Sequence, residues 1–275
     1  MIQITTVVEN SPGEHKALRH EHGLCFHIDT GSDRILFDTG ASDALLHNAE
    51  HLRLDLKRVG TVVLSHGHYD HTGGLRHLAS VNDGFELVTG KGFFVEKYAA
   101  LDAAYEFLGN DFDEAWLAAK GITCRTVSEP ISELVPGVHI ITDFERTHGD
   151  EVVNPRFKLR TDDGFVNDTF SDEVMLAIET PPGIVAVVGC SHPGIRNLLD
   201  TAEKRLGRPI HAVLGGTHLM EATPDRIAAT LDYLDRKGIS VIGASHCTGP
   251  KATEQMKALG ARHYHNRTGT SLVFH

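Results

Sequence analysis

The chain is expected to fold as an α/β protein with helices covering the outer faces of its sheets, and three features of the sequence lead there. First, the second half alternates apolar, β-branched runs with amphipathic segments. Residues 174–178 and 183–188 read as strands, 197–206 as a helix, 211–214 as a strand, 224–237 as a helix, 239–242 as a strand, 252–259 as a helix and 270–274 as a closing strand. Second, the apolar run Thr61-Val62-Val63-Leu64 passes directly into Ser65-His66-Gly67-His68-Tyr69-Asp70-His71-Thr72-Gly73-Gly74, which reads as a buried strand, a polar loop and a helix start. Third, three second-half strands end in glycine-bearing polar segments, where α/β folds build their sites: Gly189-Cys190-Ser191-His192, Gly215-Gly216-Thr217-His218 and Ser245-His246-Cys247.

The first half is read in the same way. Residues 1–8 form a strand ended by the turn Ser11-Pro12-Gly13, and a polar segment with His15, His20, Glu21 and His22 precedes a strand at 24–28. A short strand, Ile35-Leu36-Phe37, opens onto Asp38-Thr39-Gly40, and a helix begins near Asp43. His47 and His51 lie four apart on that helix, a spacing more often found on exposed surfaces than at a metal. After a strand at 85–89, residues 92–108 and 113–120 read as two helices rich in aromatics. These helices either pack under a sheet or form an inserted helical cap at about 91–120, with Phe93, Phe94, Tyr98, Tyr105 or Trp116 lining the substrate side; the cap is the preferred reading. Residues 122–144 read as a small antiparallel set of short strands and 145–170 as one long loop.

The polar loop carries the chemistry. His66 and His68, two residues apart in extended chain, project to one side, and Asp70 and His71 add a second donor pair as the helix begins. Four nitrogen or oxygen donors within six residues is a ligand set that zinc, manganese or iron accepts.

Ser65 to Gly74 resembles the metal-binding signature of the metallo-β-lactamase superfamily. The three second-half strand ends, with Glu21-His22-Gly23 and Asp38-Thr39-Gly40, resemble the branch named for 7,8-dihydropterin-6-methyl-4-(ribofuranosyl)-aminobenzene-5′-phosphate synthase. The resemblance implies a four-layer αβ/βα sandwich, two mixed sheets with outer helices, formed by residues 1–275 as a single domain. It implies two divalent ions, zinc before manganese or iron, one on His66, His68 and His192 and the other on Asp70, His71 and His246. Asp38 would orient a ligand histidine and Asp70 the nucleophile, the two residues expected to be catalytic.

The chain also departs from the superfamily pattern. Cys190 stands where an aspartate usually bridges the metals, and it reads either as a bridging or nearby thiolate or as a small buried hydrophobe. The usual third histidine has no clear equivalent, Asp168 being the nearest candidate, and His218 is either a pocket or a structural histidine.

Charge narrows the partners. With 26 Lys plus Arg against 37 Asp plus Glu, a net −11, general nucleic-acid or anionic-membrane binding is disfavoured, while a small anionic substrate near bound cations is not. The four cysteines have no C-x-x-C spacing, the N-terminus lacks a secretory signal pattern, and no apolar run is long enough to span a membrane. A soluble, cytoplasmic protein is expected, with homodimerisation open. The first functional reading is metal-assisted hydrolysis of a small anionic or ester-like substrate, with hydroxide delivered from metal-bound water. Two alternatives stand beside it: condensation of a dihydropterin with a ribosylated aminobenzene phosphate and release of pyrophosphate, implied by the resemblance, and a non-hydrolytic metal or redox-binding protein.

Overall fold

The computed structural model describes residues 1–275, and the chain falls into two compact units, each with its own sheet and core. The first comprises Met1–Ser128, Val153–Asp172 and Arg267–Phe274; the second comprises Glu129–Val152 and Glu173–Asn266, with the terminal His275.

In the first unit a seven-stranded mixed sheet runs in the order Ser271–Phe274, Ile2–Val8, Cys25–Asp29, Arg34–Phe37, Thr61–Val63, Glu86–Gly90, Thr123–Val127. Pairing is antiparallel up to Arg34–Phe37 and parallel beyond it. The change follows from connection length, since parallel neighbours need crossovers such as the helix Ala44–His51. That helix turns Ala44, Leu45 and Ala49 into a core with Leu36, Val62 and Leu75.

The second unit carries a six-stranded mixed sheet in the order Val241–Ser245, Ile210–Gly216, Gly183–Val188, Met175–Thr180, Val138–Ile141, Ile131–Val135. The first three strands are parallel and the rest antiparallel. Every residue of Gly183–Val188 is buried, as its unbroken apolar run requires of a central strand. The helix Ile195–Leu206 buries Ile195, Leu198, Leu199 and Ala202, a helical-period stripe facing the core. Its N-terminus is closed by Glu151, whose carboxylate accepts from Arg196 N–H at 3.1 Å and Asn197 N–H at 2.9 Å.

Three expectations are corrected. The helical cap at about 91–120 is replaced over most of its length by the strands Lys97–Ala100 and Tyr105–Phe107; only Glu114–Lys120 is helical, capped by Asp113 and ended by left-handed Gly121. The burial of Lys97–Ala100 alternates with a period of two, and aromatic side chains pack across a pleated surface as readily as along a helix. The supposed long loop of 145–170 contains their partners, the hairpin Phe157–Thr161 and Gly164–Asn167, giving a four-stranded antiparallel sheet. Tyr105 stacks on Phe165 at 3.7 Å and Tyr98 meets Phe107 at 5.3 Å across it. Finally, Thr123–Val127 leaves the expected antiparallel set and pairs in parallel with Glu86–Gly90. Cys25, Cys124, Cys190 and Cys247 form no disulfide, and no helix is long and apolar enough to cross a membrane.

Candidate metal centre

In the first unit the ligand loop leaves the end of Thr61–Val63 in extended chain and tightens into the one-turn helix Tyr69–Thr72. His66, His68, Asp70 and His71 are all buried, although the loop is one of the most polar stretches of the chain. His66 Nε2 and His68 Nδ1 face each other at 3.1 Å, and His71 Nε2 lies 3.6 Å from an Asp70 carboxylate oxygen. Two donors on one tetrahedral ion at about 2.0–2.1 Å are about 3.3 Å apart, so both pairs have the spacing of shared ligands.

Asp38 fixes the orientation of this cluster from behind. It sits just past the strand Arg34–Phe37 with φ of 60°, a backbone conformation uncommon outside glycine. Its fully buried carboxylate accepts from Ser65 N–H at 2.7 Å, from Ser65 Oγ at 2.8 Å and from His71 Nδ1 at 2.6 Å. With its Nδ1 proton committed to Asp38, His71 keeps the Nε2 lone pair for a metal.

Beneath the loop lies an ion triad that the sequence did not announce. Lys97 Nζ donates to Asp168 at 2.9 Å and to Asp172 at 3.0 Å, and all three side chains are almost fully buried. Asp172 also accepts from Gly67 N–H at 2.9 Å, between His66 and His68, and Asp168 accepts from Phe170 N–H at 2.6 Å. Phe170 in turn packs edge-on against His68 at 5.4 Å. Burial opposes the charge of Lys97, but the two carboxylates overcome it and raise its pKa; burial likewise pushes Asp172 up. Asp168, the candidate for the missing third histidine, is therefore a counter-ion of Lys97 in this arrangement.

In the second unit, Ser191, His218 and His246 each follow a strand closely and each has positive φ, at 58°, 47° and 53°. Strained non-glycine backbone gathered at successive strand ends is a mark of functional sites. Glu173 secures the first of these loops: its carboxylate accepts from Ser191 N–H at 2.7 Å and His192 N–H at 3.2 Å. The donor atoms of Cys190, His246 and Cys247, all buried, lie within 4.8 Å of one another. A Cβ at Gly216 would meet Cys247 Sγ at 2.5 Å, so this approach of strand to thiol requires glycine. The His192 and His218 rings are 4.3 Å apart, which puts His218 beside a proposed ligand. Nitrogen, carboxylate and thiol donors of this kind suit zinc or iron better than magnesium.

The remaining candidates separate cleanly. His22 Nε2 reaches Asp70 at 3.2 Å, and Glu21 accepts from Ala41 N–H at 2.8 Å, so their segment lies against the ligand loop. His47 is half-buried and His51 exposed, and they bond to the backbone carbonyls of Ala17 and His47 respectively. Lys97, Asp172, Glu173 and Cys247 were missed; only Cys247, adjacent to His246, carried a local signal.

The buried histidines also set a pH dependence. Burial, reinforced by His71 and His68, pushes His66 well below the ordinary 6.5, and burial lowers His27. Both folded values lie under the unfolded one, so on acidification the unfolded chain binds protons first. In EDTA-treated protein stability should be complete above about pH 6.5 and fall progressively below it. Thermal melts from pH 7.5 to 5 check this, and a flat profile contradicts it.

Comparison with known proteins agrees with the layout. A family model described as the metallo-beta-lactamase superfamily matches residues 19–159. The 7,8-dihydropterin-6-methyl-4-(beta-D-ribofuranosyl)-aminobenzene-5'-phosphate synthase of Methanocaldococcus jannaschii is 32% identical over 270 residues, covering 91% of this chain and 89% of that protein. A second protein of that organism, described as uncharacterized, is 28% identical with 93% and 94% coverage. Among solved structures, Tm1679, described as a metal-dependent hydrolase of the beta-lactamase superfamily, matches 99% of both chains with a TM-score of 0.86 and 27% identity.

Proposed function

The chain belongs to the metallo-beta-lactamase superfamily, and on that premise we propose that it is a metal-dependent hydrolase of a small anionic or ester-like substrate. His66, His68 and His192 hold one ion and Asp70, His71 and His246 the other, with Cys190 beside them and zinc the preferred metal. The observation that carries this reading is the ligand loop itself: two donor pairs at 3.1 and 3.6 Å, one of them locked by Asp38 at 2.6 Å. The likeness to Tm1679 supports hydrolysis.

When bound, the ions lower the pKa of water and stabilise negative charge developing on the substrate. The protein's own part is orientation. Asp38 holds the Nδ1 proton of His71 and keeps that ring from turning. Asp70 presents a carboxylate that aligns the attacking water, and Asp172 and Glu173 pin the loop backbones that carry His66, His68 and His192. Burial of His66 keeps it neutral and able to bind metal.

A second reading, condensation of a dihydropterin with a ribosylated aminobenzene phosphate and loss of pyrophosphate, is favoured by the 32% identity to the synthase. Elemental analysis of protein purified without added metal, with turnover of generic phosphodiesters and lactones before and after EDTA, tests the first. EDTA-sensitive turnover supports it. Pyrophosphate release only when a pterin diphosphate and an aminobenzene acceptor are both supplied supports the second. Stoichiometric iron with inertness in both assays overturns both.

A further inference from the structure

His22 touches the ligand loop of the first unit, yet the chemistry above gives it no task. Its chain neighbours hold it there. Glu21 accepts from Ala41 N–H at 2.8 Å and from Ser42 N–H at 3.1 Å, and Leu24 N–H donates to Asp70 O at 3.2 Å. Gly23 between them lies so close to the loop that a Cβ there would meet Asp70 O at 2.8 Å. The His22 side chain, half exposed, puts its Nε2 3.2 Å from the Asp70 carboxylate oxygen that also lies 3.6 Å from His71 Nε2.

A histidine so placed is either a further metal ligand or a hydrogen-bond donor to Asp70, and the two roles need opposite tautomers. A ligand needs a lone pair on Nε2, a donor needs the proton there. Asn10 decides between them. Gly23 N–H donates to Asn10 Oδ1 at 3.3 Å, which turns the amide nitrogen toward His22 Nδ1, 3.2 Å away. An amide nitrogen only donates, so Nδ1 accepts and the ring carries its proton on Nε2, facing Asp70. Asn10 is itself held by His20, whose Nδ1 meets the Asn10 carbonyl at 3.0 Å.

We propose that His22 is a positioning residue for Asp70: its Nε2–H fixes the carboxylate in the orientation that receives a metal, and Asn10 fixes the tautomer that allows it. The reason lies on the other side of Asp70. His71, with its Nδ1 proton committed to Asp38, turns a lone pair toward the same carboxylate oxygen. Two acceptors facing each other repel, and the N–H of His22 keeps the carboxylate from swinging away before an ion arrives. His22 thus does for Asp70 what Asp38 does for His71. The role rests on the reading of Asp70 as a metal ligand; the tautomer of His22 does not.

Two measurements on the full-length, EDTA-treated protein test it: zinc titration against a chromophoric chelator, and long-range proton–nitrogen correlation spectra of protein labelled with nitrogen-15 histidine. His22→Ala is expected to weaken one zinc ion about tenfold to a hundredfold. His22→Gln, whose side-chain amide carries an N–H toward the same oxygen, is expected to restore affinity to within about threefold of the parent. An amide nitrogen has no lone pair to give a metal, so a ligand role, like a merely structural one, predicts equal loss in both variants. Equal loss, or no loss in His22→Ala, overturns the proposal. In the spectra His22 is expected to carry its proton on Nε2 before and after zinc is added. A proton on Nδ1 in place of Nε2 in either state overturns the proposal whether or not the variants fold. A parent protein that binds no zinc overturns the metal-dependent reading and this role with it, whereas zinc binding indifferent to His22 overturns this role alone.

Discussion

Replacing His68 with alanine is expected to remove about one metal ion per chain and to lower kcat about a thousandfold or more. His68 Nδ1 is 3.1 Å from His66 Nε2, so the substitution takes away half of a donor pair and leaves His66 without its neighbour. An ion that contributes about 4 kcal/mol to the transition state corresponds to about a thousandfold in rate. His51→Ala, on the exposed end of its helix, serves as the matched control and should change neither metal content nor rate. Elemental analysis and turnover on the same preparations check both. Full metal content and full activity in His68→Ala would remove this histidine from the site.

Lys97→Met is expected to cost about 3–5 kcal/mol of stability, because it leaves Asp168 and Asp172 buried with no counter-charge. Unlike the histidine change, the damage is first structural and then functional. Asp172 holds Gly67 N–H at 2.9 Å, so repulsion between the two carboxylates should loosen the loop between His66 and His68 and weaken metal binding. The loss should shrink as pH falls toward 5. Burial already raises the pKa of Asp172, the missing lysine no longer opposes it, and a protonated Asp172 relieves the repulsion. Urea unfolding at pH 7.5 and pH 5 gives both numbers; equal stability to the parent at pH 7.5 would show that the triad contributes nothing net.

Much of the candidate site was legible because the donors of its first-unit loop are local. His66, His68, Asp70 and His71 lie within six residues, and the apolar run before them marks a strand. Asp38 was readable for the same reason, standing just after a short strand and just before Thr39-Gly40. The α/β alternation of 174–274 was also written in local periodicity, and the helices Ile195–Leu206 and Pro224–Arg236 fall close to their expected bounds. Residues 92–108 misled because their aromatics suit a helix face and a strand face alike. The choice was made by the pairing of Lys97–Ala100 with Phe157–Thr161, far along the chain.

The buried charges mark the boundary. From the sequence Lys97 is an ordinary cation beside Glu96 and Tyr98, and nothing within a few residues signals that it will be buried. Its partners Asp168 and Asp172 are 71 and 75 positions away, and Glu173 reaches Ser191 across 18. By itself the sequence determined which residue types can bind metal and which strands and helices carry them, since spacing and periodicity are properties of neighbours. Which charges could be buried, and which carboxylate would pin which loop, was decided only by the tertiary structure. A charge leaves water only when folding brings its counter-charge and its hydrogen-bond donors to it.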